Sequence, residues 1–404
     1  MLSLQVKPIV YMNIILFDNQ YREDLLPFTF TRPQADIRVG ILTIREKWEK
    51  YLHASSSSYT QAYLSKKFPV YVTDDNYLIN GSICPTPALV QSIMNMPMEH
   101  ALTKDGDIIA IHTAAMPASI QEFEGKQLVY EGEYTKIQHL WDIYTLNEKV
   151  LSADFEMLTH GRKSQPLSHT NTVICPENVF VEEGAVVECA VINAKNAKVY
   201  IGPHVEIMEN SVLRGSVALL EHAQVKIGAK IYGATTVGPY SKVGGELSNV
   251  VIFGFTNKAH DGFMGNSVLG EWCNIGADTN TSNLKNNYDI VKLWNYKEGG
   301  FQKTGLQFCG LMMGDHSKCG INVMFNTGTV VGVSANIFGS GYQRNFYPSF
   351  HWGGGNVPVT DYKLDVAIEV AKRVYARRNK TFHDTDAQIL YSVYNLTEEY
   401  RVKY

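Results

Sequence analysis

Ile201, Ile207, Leu213, Leu219, Val225, Ile231, Val237 and Val243 stand six residues apart without a break. With aliphatic side chains at roughly a quarter of positions, eight in a row is about a one-in-10⁵ event per starting point, so the spacing is a structural signal. It recurs at Ile174, Phe180, Val186 and Ile192, at Leu269 and Ile275, and at Met313, Cys319, Phe325, Val331 and Ile337. A period of six matches neither an amphipathic helix nor an alternating strand. It fits a coil with flat sides, each consuming one hexad and sending one large aliphatic inward. Three sides close a triangular turn, and stacked turns make a parallel β-helix. A glycine often follows the key position, as in Ile201-Gly202, Val237-Gly238, Ile275-Gly276 and Val331-Gly332. It predicts a tight corner or a positive φ.

The residues before the repeats have another character. Short apolar runs (13–17, 70–72, 108–111) alternate with helical patterns at 41–51 and 87–94, and a further helix is predicted from Trp141-Asp142-Ile143-Tyr144 to about 158. This alternation predicts an α/β domain over 1–165, with the polar run 54–59 as a loop and 161–169 as a linker. The β-helix is expected over 170–356. A helical cap over 357–404 follows, with helices at 361–378 and 384–400 and Thr360 as the first N-cap. Residues 1–11 read as a leader or an upstream start.

At 404 residues the chain exceeds what one core serves. Lys plus Arg number 36 against 40 Asp plus Glu, a net charge of −4, so no basic excess exists to hold a nucleic-acid backbone or an anionic membrane. No uninterrupted apolar stretch spans a bilayer, and a cytoplasmic location is expected. The six cysteines form no C-x-x-C pair and are expected as reduced, buried thiols. His204, His222, His260 and His316 are scattered without ligand-like spacing, which disfavours zinc.

Breaks in a monotonous solenoid are where binding groups are placed. The largest is 283–308, a polar and basic arm with Asn286, Tyr288, Lys292, Trp294, Lys297 and Lys303, expected to extend from the spine toward a neighbour. A smaller one, 244–265, carries His260. Histidine has an unperturbed pKa near neutrality, which suits it to act as a general base.

The run Lys258-Ala259-His260-Asp261-Gly262-Phe263-Met264-Gly265, continued in Cys273-Asn274-Ile275-Gly276-Ala277-Asp278-Thr279 and Ser282-Asn283, resembles the acetyltransferase domain of the GlmU-type bifunctional family. That resemblance implies a left-handed parallel β-helix, a homotrimer, and transfer of acetyl from acetyl-CoA to an amino-sugar 1-phosphate. It implies His260 as general base, with Asn274 and Asn283 contacting the amino sugar or acetyl donor and Ala277 beside them. Phe263 and Leu284 stand where the family has tyrosines. The family lysine twelve residues before the base has no counterpart, and Lys258 or Lys242 is its candidate substitute. Asn326, Thr327 and Lys303 are candidate acetyl-CoA contacts.

The opening Phe17-Asp18-Asn19-Gln20-Tyr21-Arg22-Glu23-Asp24-Leu25-Leu26-Pro27-Phe28-Thr29-Phe30-Thr31-Arg32-Pro33 resembles sugar-phosphate nucleotidyltransferases, and implies uridylyl transfer from UTP or another nucleotide with Mg²⁺. Gln20 and Arg22 replace phosphate-binding glycines, Asp24 an arginine, and Gln34 falls near a lysine. Ser82 stands at one metal aspartate, leaving Asp142 as the candidate ligand, with Asp74 or Asp75 able to assist. Arg22, Arg32, Arg38 and Arg45 are candidate phosphate forks. Three functions follow: acetyl transfer with uridylyl transfer, nucleotidyl transfer alone, or a non-catalytic sugar-nucleotide-binding scaffold.

Overall fold

The computed structural model describes residues 12–403, so the reading of 1–11 as a leader lies outside the described residues. Contacts divide the chain into two units. Among the described residues the first unit is 12–19, Pro33–Asp36 and Ile44–Lys136, while Gln20–Arg32 and Ile37–Thr43 join 137–403 in the second.

The first unit is built on a six-stranded sheet ordered Ser56–Tyr59, Asn13–Phe17, Asn76–Asn80, Asp107–Thr113, His100–Lys104, Lys126–Val129. Asn13–Phe17 runs parallel to both its neighbours. The serine run expected as a loop is therefore an edge strand. It holds because Ser57 and Ser58 are buried and Arg45 donates to Ser56 Oγ at 2.8 Å, so hydroxyls too small to pack are satisfied by hydrogen bonds. Residues 70–72 form no strand, and Tyr71 is 65% exposed. Helices Ile44–Leu52 and Pro87–Met94 form where the apolar spacing predicts them. The second starts with Pro87 in its first turn and Thr86 Oγ1 accepting from the Leu89 N–H at 3.2 Å.

The second unit is the parallel β-helix. Strand registers advance eighteen residues per turn, from Ile201 to Leu219 to Val237, so three hexads close one coil. All eight residues of the unbroken series are buried in one continuous core, joined by Leu269, Ile275, Met313, Cys319, Phe325, Val331 and Ile337. Each fully buried aliphatic contributes about 1.5–3 kcal/mol relative to exposure, so the series is the fold's main support. In the first coil the register differs by one: Ile174 and Val186 are 42% and 55% exposed, and Val173 and Val187 face the core instead. A one-residue slip in a strand exchanges its faces. Phe180 accordingly points outward, onto Leu151 and Phe155 of the helix Asn147–Thr159.

The hexad glycines serve close approach rather than a positive φ. A Cβ on Gly238 would lie 2.1 Å from the Phe253 carbonyl, and one on Gly276 would lie 2.2 Å from that of Gly320. The left-handed corners fall two residues later, at His204, Tyr240, Asp278, Asn322 and Ser334. Along one edge such corners carry rings, and His204, His222, Tyr240, Phe255 and Trp272 stack in series at centroid spacings of 4.2–5.2 Å.

The break at 283–308 does not extend away. It folds into a hairpin, Lys292–Asn295 with Gly300–Lys303, whose Trp294 stacks on Phe346 of the same unit at 4.2 Å. The helix expected from 361 starts at Leu364, because 357–361 form a strand that includes Thr360. That helix, Leu364–Ala376, lies along mid-solenoid coils rather than over the last one: Tyr375 stacks on Trp272 at 3.9 Å. Asp384–Leu396 lies nearer the end, with Tyr394 against Phe350. Of the cysteines, all outside any disulfide, Cys84, Cys273, Cys309 and Cys319 are buried, while Cys175 is half-buried and Cys189 exposed.

Candidate active site

His260 sits in the turn after the short strand Asn257–Lys258. Gly262, at φ 115°, lets the turn press onto the next coil, where a Cβ would lie 2.2 Å from the Thr279 carbonyl. Lys258 is buried, and its Nζ donates to the carbonyls of His260 at 2.6 Å and Asp261 at 3.3 Å. Burial pushes its ammonium down to about 8. Lys258 therefore anchors the turn from inside, where no substrate reaches it, and cannot replace the family lysine. The turn's carbonyls face inward to Lys258, while the His260 side chain is exposed.

Two recesses meet at that imidazole. One, of about 440 Å³, is lined by Lys242, Asn257, His260, Asn274, Ala277, Arg377 and Arg378. The other, of about 490 Å³, includes Lys226, Gly245, His260, Asp261 and Asp278. Burial, then the charges of Arg378, Lys226 and Arg377, hold the Lys242 ammonium below its ordinary range, and burial beside Arg377 does the same to Arg378. Arg378 is aimed by a 2.8 Å bond from Nη2 to Asn257 Oδ1. Arg377 and Arg378 come from the end of the helix Leu364–Ala376, and the sequence reading passed over them. Their signal was the basic run Ala376-Arg377-Arg378-Asn379-Lys380 beyond a helical pattern.

His260, Asn274, Ala277 and Lys242 thus share one cavity. Asn283 does not join them within the protomer. Nine residues beyond Asn274 is one and a half sides of an eighteen-residue turn, so it belongs to another wall. There its Nδ2 donates to Asn266 Oδ1 at 2.8 Å, and both Asn283 and Phe263 crowd the Cα of Gly265. Thr327 lies near that wall, its hydroxyl 2.6 Å from Ser282 Oγ, and Asn326 donates to the Gln343 carbonyl. Lys303 is exposed on the hairpin, away from both recesses.

The candidate phosphate forks of the N-terminal segment are spent on the protein. Arg32 is buried and paired with Asp315 and, at 3.4 Å, with Glu271. Arg22 donates to the Thr29 carbonyl, and Thr29 Oγ1 returns a bond to the Arg22 carbonyl at 2.8 Å. Arg38 donates to the carbonyls of Phe253 and Ile41 at 3.0 and 2.7 Å, and Arg45 makes a two-pronged pair with Asp36. Their fork geometry is real, but its acceptors are internal.

Magnesium fits these residues poorly. Ser82 is fully buried in a neutral network: Asn19 Nδ2 donates to Ser82 Oγ and Asn80 Oδ1, both at 2.9 Å, and Gln34 Nε2 donates to Asn19 Oδ1 at 2.9 Å. Asp142 accepts the backbone N–H groups of Gln138 and His139 at 2.8 Å, as a turn-closing carboxylate does. Asp75 accepts from or pairs with His112 Nε2 at 2.8 Å. Among the described residues no three His, Cys, Asp or Glu side chains gather as a metal would need. No step below is routed through a metal.

Residues 14–163 match the family model described as sugar nucleotidyl transferase. Among curated proteins, the bifunctional protein GlmU of Methanocaldococcus jannaschii is 28% identical over 230 residues, 54% of this chain and 47% of the relative. That of Methanococcus maripaludis is 26% identical over 217 residues, 51% of this chain and 43% of the relative. The bifunctional sugar-1-phosphate nucleotidylyltransferase/acetyltransferase of Sulfurisphaera tokodaii is 28% identical over 226 residues, 56% of this chain and 50% of the relative. The chain thus spans about half the length of the curated relatives it matches. Among solved structures, the polysialic-acid-specific acetyltransferase NeuO aligns over 52% of this chain and 99% of its own at 16% identity, with a TM-score of 0.27.

Proposed function

We propose that this chain, a divergent relative of the GlmU-type bifunctional proteins, is a sugar-nucleotide biosynthesis transferase that moves acetyl from acetyl-CoA to the amine of an amino-sugar 1-phosphate. The observation that carries this reading is the exposed His260 imidazole, fixed from behind by Lys258 and sharing one cavity with Asn274, Ala277 and a cationic wall.

In the reaction the sugar's ammonium first gives one proton to solvent, and His260 takes a second from the amine as its nitrogen attacks the thioester carbonyl. The carbonyl oxygen gains the charge and is met by the Asn274 carboxamide or by backbone N–H groups of the adjoining turn. Collapse breaks the C–S bond, and the imidazolium returns its proton to the departing thiolate. The products are the N-acetyl sugar phosphate and free CoA, with no covalent enzyme intermediate.

The protein acts in this reading as a cytoplasmic homotrimer. Support comes from the two walls: His260 with Asn274 on one and Asn283 with Phe263 on another, which flat-sided prisms in contact bring face to face. Mixing His260→Ala and Asn283→Ala chains tests it. Assemblies containing both should recover activity that neither has alone, and mixtures that stay inactive would refute a shared site.

The match of residues 14–163 to the sugar nucleotidyl transferase family favours a second activity, uridylyl transfer to the sugar 1-phosphate. Pyrophosphate release from UTP and N-acetylglucosamine 1-phosphate tests it, with and without a chelator. A scaffold that only binds sugar nucleotides would show binding and neither product.

A further inference from the structure

The two recesses beside His260 carry opposite character. The larger share of positive charge lies in the recess lined by Lys242, Arg377 and Arg378, which contains no carboxylate. Among the described residues none of these three cations has a carboxylate within ion-pair distance, Glu206 acting on Lys242 only from farther off, whereas Arg32, Arg162, Lys198 and Lys297 each pair with one. A cluster of neighbouring cations, two of them half-buried and none ion-paired, is unfavourable until an anion joins it. The neighbouring recess is lined by Asp261 and Asp278 together with Lys226. Ala259, His260 and Ala277 form the boundary common to both.

We infer that the C-terminal helix supplies the phosphate site: Arg377 and Arg378, with Lys242, hold the phosphate of a zwitterionic sugar, and Asp261 and Asp278 draw its ammonium to the far side of His260. The assignment rests on the acetyl-transfer reading for the identity of the sugar. An amino-sugar 1-phosphate carries its two charges on adjacent carbons, which suits charge walls that meet at one residue. Guanidinium groups offer phosphate paired N–H donors, and the Arg378 bond to Asn257 orients that fork beforehand. The same wall would also attract the phosphates of CoA. The sugar phosphate is preferred because the opposite charges flank the proposed base itself, a pattern that an all-anionic cosubstrate does not need.

Calorimetric titration separates these sources. Glucosamine 1-phosphate, glucosamine, CoA and dephospho-CoA are titrated into the full chain and into Arg377→Gln, Arg378→Gln, the double variant and Asp261→Asn/Asp278→Asn. The double arginine variant should lose about tenfold or more in affinity for glucosamine 1-phosphate, with glucosamine and CoA binding unchanged. The aspartate pair should weaken glucosamine 1-phosphate and glucosamine alike. Arg378→Lys should restore part of the loss, since it keeps the charge and gives up the fork. Unchanged sugar-phosphate binding in the double variant overturns the assignment, and so does a loss confined to CoA. Arginine-dependent binding without thiol release from acetyl-CoA would leave the phosphate site standing and remove acetyl transfer; thiol release indifferent to both arginines would do the reverse.

Discussion

Two groups of arginines lie in the second unit, and they differ in what their forks touch. Arg22, Arg32 and Arg38 end on internal acceptors: a turn carbonyl, the buried Asp315 with the half-buried Glu271, and the carbonyls of Phe253 and Ile41. Arg377 and Arg378 end at a cavity, with one bond to Asn257 between them and no carboxylate. The first group sits in a segment whose motif resembles a phosphate-binding opening, and the second in a helix end with no motif at all. A cation's role follows from whether the fold supplies its counter-charge, and that is decided by partners far along the chain.

The sharpest way to break the comparison is Arg32→Ala. It leaves Asp315 buried without its counter-charge, held only by the Thr31 hydroxyl and the Glu271 N–H, and should cost about 3–5 kcal/mol of unfolding free energy by denaturant titration. A near-neutral result would mean that Arg32 is held for a ligand. Next in size is the effect of the buried ammonium groups. Lys258 and Lys318 are both pushed down to about 8 by burial, against 10.5 when unfolded, so the native state binds fewer protons between those values. Stability should rise as pH climbs from about 8 toward 10.5, where the cost of burying the charge disappears. Melting temperatures across that range check it, and a slope that survives in Lys258→Met/Lys318→Met would assign it elsewhere. Smallest is Arg377→Gln, expected within about 0.5 kcal/mol of wild type in stability, since no internal partner is lost. A loss as large as that of Arg32→Ala would erase the distinction.

The solenoid was readable because its core repeats one demand, an aliphatic every sixth residue, and eight positions in register leave little freedom. Its first coil was misread at Ile174 and Val186, where aliphatics occupy both faces of short strands and periodicity alone cannot choose between them. The cavity was half legible. Residues 258–278 lie within two turns, so their spacing carries their geometry, and His260, Asn274 and Ala277 do come together. Arg377 and Arg378 were not legible because their helix docks on coils about 120 residues upstream, as the Arg378 bond to Asn257 shows. Arg32 was mistaken for a phosphate fork for the same reason, its partner Asp315 being 283 residues away. The hairpin of Trp294 reads as an open polar arm in sequence because the rings that bury it, Phe346 and Tyr400, come later in the chain.

The most direct test of the central claim is thiol release from acetyl-CoA in the presence of glucosamine 1-phosphate, in wild type and in His260→Gln. The imidazole is exposed, so the variant should fold as wild type does. The wild-type chain should release thiol in step with N-acetyl product, and His260→Gln should lower the rate by about 10²–10⁴, the usual worth of a positioned base. An undiminished rate in the variant, or a wild-type chain that binds both substrates and releases no thiol, would contradict it.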